Sequence, residues 1–178
     1  MGTARELKPA KYFVALLSSD VNLLTTVEAD LSAVLGEIDA RSEIVPWTAS
    51  NFYEKEMGRG LLRRFVSFSF LQSPENLAGI KLQMQRIEDN YRTVSSAGRR
   101  VNLDPGYIDM FKLVLASTKN AGQRIYLRSG IYAEATLLYH DAAFHGLVYT
   151  YRDYLWPESL AFFTQMRARY LTELRKHD

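Results

Sequence analysis

The chain has 178 residues, 47% of them hydrophobic and 24% charged, an ordinary globular balance that excludes global disorder. Its 22 Lys and Arg against 20 Asp and Glu leave a net charge of +2, too small to point to nucleic acid as a partner. No cysteine is present, which removes disulfides, thiolate nucleophiles and cysteine-based zinc sites together and fits a cytoplasmic protein.

Residues 1–9 are polar, end in Lys8-Pro9, and read as a flexible tail. Lys11 to Leu17 (KYFVALL) is a nearly continuous apolar run of strand formers, expected to be covered on both faces. Basic residues precede it, but Ser18-Ser19-Asp20 ends the run too soon for a signal peptide. Asp20 or Asn22 then caps a helix whose Leu24, Val27, Leu31, Val34 and Leu35 share one face, stopped by Gly36. Ile38 to Trp47 is expected as a second strand with Pro46 at its end. A loop with Phe52, Tyr53 and Met57 follows, holding a short helical turn over 51–60, broken by Gly58 and Gly60. It is placed to cover a sheet edge or a pocket.

In Leu61 to Leu71, Val66, Phe68 and Phe70 alternate with Ser67 and Ser69, the period of a strand with one buried face. Ser73-Pro74-Glu75 starts a helix with Leu77, Ile80, Met84, Ile87 and Tyr91 on its apolar stripe, and 93–99 is a polar loop. Arg100 to Leu103 gives the next strand, ended by Asp104-Pro105-Gly106 as a tight turn. Strand, helix, strand, strand, helix, strand is the βαββαβ order of a ferredoxin-like unit. The expected fold is therefore α+β in one domain, with 10–104 ferredoxin-like and 105–178 a β-meander plus a C-terminal helix. That helix opens at Pro157 and places Leu160, Phe163, Met166, Tyr170 and Leu174 on one face, with basic residues opposite. No apolar stretch approaches the ~20 residues that span a membrane.

The most informative stretch is Arg124 to Tyr139. Pairing Leu127 with Ile131 around Arg128, Ser129 and Gly130 gives a three-residue hairpin loop with Gly130 in the left-handed region. In that register Ile125, Leu127, Ile131, Ala133, Ala135 and Leu137 face one side. Arg124, Tyr126, Tyr132, Glu134 and Thr136 face the other, with Arg124 opposite Glu134 and Tyr126 opposite Tyr132. Such pairs stabilise sheets by roughly 0.2–1 kcal/mol each without any ligand. They also define a candidate site. Arg124, Tyr132, Glu134 and Thr136, with Lys119 and with Asn102 and Asp104 on one side of their strand, would line a polar pocket. Lys119 and Arg124 would hold an anion, with Glu134 and Thr136 orienting it or a metal. Arg59, Arg63 and Arg64 in GRGLLRR form a second cationic group, which reads first as a solvated loop.

The sequence contains neither a G-x-x-x-x-G-K-[ST] phosphate loop nor a G-x-G-x-x-G turn. His140, His145 and His177 do not make H-E-x-x-H or another compact ligand set, so no metal site is assigned. The paired H-x-[ST] motifs of cyclic phosphodiesterases and the aromatic signature of RNA-recognition domains are also missing. No cofactor is indicated.

Taken together, KYFVALLSSD, RRVNLDPGYI, KLVLASTK, QRIYL and GIYAEATLLY resemble a prokaryotic family of single-domain proteins defined by a domain of unknown function. Some of its members carry the label GTP-binding protein. The resemblance runs from Lys8 to the final helix and implies no assigned activity. Three functions are carried forward: a binding protein for a nucleotide or other phosphate-bearing ligand, a protein-interaction module using the aromatic segment 147–156, and a phosphoester hydrolase or transferase with Asp104 and Glu134 as acid–base or metal groups. A homo-oligomer is compatible with all three.

Overall fold

The computed structural model describes residues 2–3, 6–92 and 98–176. His177 and residues 93–97 of the expected polar loop lie outside them, as do three residues of the expected N-terminal tail. In chain order the elements are β1 (Ala10–Ser18), α1 (Val21–Leu35), β2 (Ile38–Arg41), β3 (Val45–Pro46), α2 (Glu54–Met57), β4 (Leu62–Gln72), α3 (Leu77–Asn90) and β5 (Asn102–Ile108). They continue with β6 (Lys112–Ser117), β7 (Ile125–Arg128), β8 (Ile131–His140), β9 (Ala143–Gly146) and α4 (Pro157–Leu174). Among the described residues the nine strands form one sheet in the order β2-β4-β1-β5-β6-β8-β7, with β3 beside β4 and β9 beside β8. The strand pairs are antiparallel. This is a mixed α/β architecture with an antiparallel sheet and a C-terminal helix.

The continuous apolar run of β1 has the expected cause. Every one of its residues is buried, because the strand is central and both of its faces are covered. Tyr12, Val14 and Leu16 pack against α1 and α3, while Phe13 and Ala15 pack with Phe65 against Phe162, Phe163 and Met166 of α4. Lys11 is fully buried with them. Its Nζ donates to the Phe68 carbonyl at 2.9 Å and to Glu173 at 2.7 Å, and lies 2.6 Å from Asp39, so it ties the end of α4 to the sheet.

Several expectations are corrected. The segment 38–47 is two short strands, and both pair with β4. The middle of β4 is buried on both faces rather than one, because α4 covers the serine side, where the Ser67 hydroxyl donates to Asp39 at 2.6 Å. Phe70, expected on the buried face, is 64% exposed. The last strands do not form a meander. The ten-residue β8 returns to pair with β6, and the short β7, exposed at all four residues, is left at the edge. Only β8 carries the buried side chains that an inner strand needs.

The β7–β8 connection is a two-residue turn. Arg128 pairs with Ile131, and Ser129 and Gly130 take φ of 52° and 75°, the left-handed pair that matches strand twist. An irregularity between Tyr126 and Arg128 absorbs the extra residue, so Tyr126 still opposes Tyr132 and Ile125 opposes Ala133, the expected register.

Asp104-Pro105-Gly106 is not a turn. β5 runs straight through it, with Pro105 opposite Val14 and Gly106 between Phe13 and Leu115. Glycine is required there by a close approach: a Cβ would lie 2.5 Å from the Val114 carbonyl oxygen and 2.7 Å from the Phe13 ring. Gly106→Ala is therefore expected to destabilise the fold by about 1–3 kcal/mol. Urea denaturation checks this through the midpoint, and an unchanged midpoint would contradict the packing described.

Candidate functional site

The ladder between β5 and β6 covers only Gly106–Ile108 against Leu113–Leu115. Beyond Gly106, β5 stays paired with β1 as far as Asn102, and β6 stays paired with β8 as far as Ser117, but the two no longer pair with each other. The sheet is split at this point. Pro105 suits the position because it has no N–H that the missing partner would leave unpaired.

Leu103 does need partners, and α3 supplies them. Its N–H donates to Oε1 of Glu88 at 2.6 Å, and its carbonyl accepts from Nζ of Lys81 at 2.8 Å. Two side chains of a helix thus replace the backbone groups of a neighbouring strand. Lys81 also reaches Oδ1 of Asp104 at 2.9 Å, and Nδ2 of Asn102 donates to Oδ2 of Asp104 at 2.6 Å. Asn102 and Asp104 therefore point to the same side, as alternate strand residues should.

A cavity of about 260 Å³ opens at the split. Cross-strand partners share a sheet face, which groups Arg63 with Leu17 and Asn102, Phe65 with Ala15 and Asp104, and Leu115 with Glu134. All lie on the α4 side of the sheet. The loop after β3 contributes Trp47, Ser50, Phe52 and Tyr53, the loop after β6 contributes Thr118, Lys119 and Arg124, and the turn before α4 contributes Tyr151, Asp153 and Tyr154.

Its charges are mostly internal pairs. Arg63, only 4% exposed, has Nε 2.9 Å from Asp153. Nε of Arg124 donates to Oε2 of Glu134 at 2.8 Å, while its Nη1 and Nη2 donate to the Lys119 carbonyl and the Tyr151 hydroxyl. Arg99 donates to both oxygens of Glu56 and to Oδ1 of Asn102, fastening α2 to β5. Lys119 has no carboxylate partner among the described residues; its Nζ sits 4.3 Å from the centroid of the Phe52 ring. On the lining residues, the buried side-chain atoms without a hydrogen-bond partner include Nη1 of Arg63, Nε1 of Trp47, Oε1 of Glu134 and Oδ2 of Asp153.

Burial opposes ionisation of Asp104, but Lys81, with Arg63 and Asn102, more than offsets it and holds its pKa below the usual value. Glu88 goes the other way, because burial outweighs the help of Lys81 and the Leu103 N–H and raises its pKa. Burial also raises Tyr151, against the opposing pull of Arg124.

Of the residues expected at the site, Asn102, Asp104, Lys119, Arg124 and Glu134 line the cavity. Tyr132 and Thr136 do not. Tyr132 stands edge-on to Tyr126 at 5.4 Å, and Thr136 is buried with its hydroxyl turned to the Glu134 carbonyl. Sequence reasoning missed Lys81 and Glu88, and it read Arg63 as part of a solvated loop. Their signals were present. Lys81 and Glu88 fall four residues after Leu77 and Met84, inside the apolar stripe of α3, and Arg63 stands two residues before Phe65 in a strand.

Asp104 and Glu134 share the cavity, each held by its own cation, and no three His, Asp or Glu residues among those described converge to hold a metal. The aromatic segment 147–156 does not form one exposed patch. Tyr154 is buried, Tyr149 donates to the Ala135 carbonyl at 2.9 Å, and the Tyr151 hydroxyl is taken by Arg124. The basic residues of α4 are partly engaged as well, with Arg167 lying over Tyr139 and donating to the Met110 carbonyl.

Fold and site together define a mixed α/β protein whose antiparallel sheet splits around a charged cavity. A family model described as a domain of unknown function (DUF4416) matches residues 8–170, and the chain belongs to that family. No curated protein and no solved structure matches it. Among the described residues no helix is long and apolar enough to cross a membrane.

Two outcomes follow from the helix-to-strand bridge. Lys81→Met removes the counter-ion of Asp104 and the donor to Leu103, and should cost about 2–3 kcal/mol, less than a fully buried pair because Asp104 still meets the cavity. Denaturant titration measures it, and a loss within error of zero would contradict the bridge. Glu88 has a raised folded pKa, so the folded state binds a proton that the unfolded chain has released. Its contribution to stability is present below the usual glutamate value and falls as pH rises through the raised one. Glu88→Gln should flatten that part of the stability–pH curve; an unaltered slope would contradict it.

Proposed function

We propose that the protein is a cytoplasmic binding protein for a small phosphate-bearing molecule, held in the cavity between β5 and β6. The observation behind this reading is a surplus of positive charge: Arg63, Lys81, Arg99, Lys119 and Arg124 line the cavity against Asp104, Glu134 and Asp153. Lys119 stands at the cavity, exposed and with no carboxylate partner among the described residues. A phosphate brings negative charge and several acceptor oxygens to one place, which is what such a set lacks. The volume is slightly below the roughly 300–1,000 Å³ usual for small-molecule sites, which fits a compact ligand. Buried charge of this density costs stability, and binding is a reason to keep it.

The scaffold is read in the same terms. The order β2-β4-β1-β5, with α1 and α3 packed on one face, supports reading 10–104 as a ferredoxin-like unit. The remaining strands and α4 extend it within one domain, and β6, β8, the loop after β6 and the turn before α4 line the other side of the cavity.

Isothermal titration with pyrophosphate tests the function. Binding is expected to weaken with salt, and Lys119→Ala, a change at an exposed residue, should lower affinity roughly tenfold. Absence of pyrophosphate binding, or an affinity indifferent to both changes, would contradict the reading.

A further inference from the structure

Phe52 is unexplained by packing. It is 63% exposed, on the loop after β3, and belongs to none of the apolar clusters. Its ring meets Tyr53 at 5.1 Å with the planes 89° apart, and Tyr53 meets Trp47 at 5.4 Å and 63°. Three rings therefore line this side of the cavity, joined by edge-to-face contacts that leave Phe52 largely exposed. One face is approached by a charge, Nζ of Lys119, at 4.3 Å from the centroid.

We propose that the ligand is a phosphate ester that also carries a planar aromatic ring, with the ring stacked on Phe52 and the phosphate held by Lys119. The proposal rests on the phosphate reading of the cavity and adds the second half of the ligand. An ammonium group over an exposed ring is a weak contact. A phosphate offers Lys119 a charge-assisted partner, and the vacated ring face takes a flat π-system. A single molecule bearing both groups satisfies both residues at once. Inorganic phosphate or a plain sugar phosphate satisfies only the lysine. Nucleoside monophosphates and pyridine-ring phosphates share this chemistry, and the small cavity favours such mononuclear or fused-ring ligands over dinucleotides.

The test is calorimetric titration of the full chain with ribose 5-phosphate, AMP, GMP and pyridoxine 5′-phosphate. At least one ring-bearing probe should bind roughly tenfold or more tighter than ribose 5-phosphate, and the tightest of them assigns the source. Phe52→Ala should weaken that probe by roughly 5- to 150-fold, the range of a lost stacking contact, and leave ribose 5-phosphate unchanged. Phe52→Trp should restore it. Equal affinity for all four probes, or ring-bearing affinity indifferent to Phe52→Ala, would overturn the proposal while ribose 5-phosphate binding that still needs Lys119 left the phosphate reading standing. Failure of every phosphate to bind would overturn both.

Discussion

The unpaired backbone of Leu103 is the constraint on which the rest of this structure depends. A central strand cannot leave a buried N–H and carbonyl without partners, since each would cost about 1–3 kcal/mol. Here the neighbouring strand has moved away, and Glu88 and Lys81 of α3 take its place. The substitution lets the sheet remain split without leaving those backbone groups unpaired, and the split is the cavity. Pro105 and Gly106 serve the same end from within β5, one by needing no partner and the other by allowing close contact where the ladder resumes.

Stability and site are consequently the same set of residues. Lys81 satisfies a strand carbonyl and neutralises a cavity carboxylate with one ammonium group. Arg99 fastens the loop bearing Phe52 and Tyr53 to β5 through Glu56, while also holding Asn102. Arg124 joins β8 to the loop after β6 and to the turn before α4. Each wall of the cavity is thus fixed by charge-assisted bonds to another wall, and among the described residues Lys119 is the lining cation without a carboxylate partner.

Much of this was legible in the sequence. The burial of β1, the stripes of α1 and α3, and the facing of Arg124 with Glu134 and Tyr126 with Tyr132 all follow from apolar spacing. Of the five expected residues that line the cavity, Arg124 and Glu134 came from the same reasoning, and Asn102 and Asp104 from strand alternation. What failed was local punctuation read without tertiary context. Pro-Gly signals a turn in an isolated segment, but in β5 it marks a strand whose partner is missing on one edge. The three-residue hairpin loop failed because an irregularity elsewhere in β7 kept the register that the loop had been chosen to explain. Lys81 and Glu88 sit inside the apolar stripe of α3, but spacing along a helix does not show what a buried charge pairs with, and only the split sheet gives them partners.

Nuclear magnetic resonance tests directly whether the split in the sheet is a binding site. On titration with pyrophosphate, the backbone amides of Ala116 to Lys119 and the side-chain N–H of Arg63 should shift together with one saturation curve, and those of β2 and β9 should stay fixed. Shifts concentrated on the basic face of α4, or scattered over the surface without saturation, would contradict it.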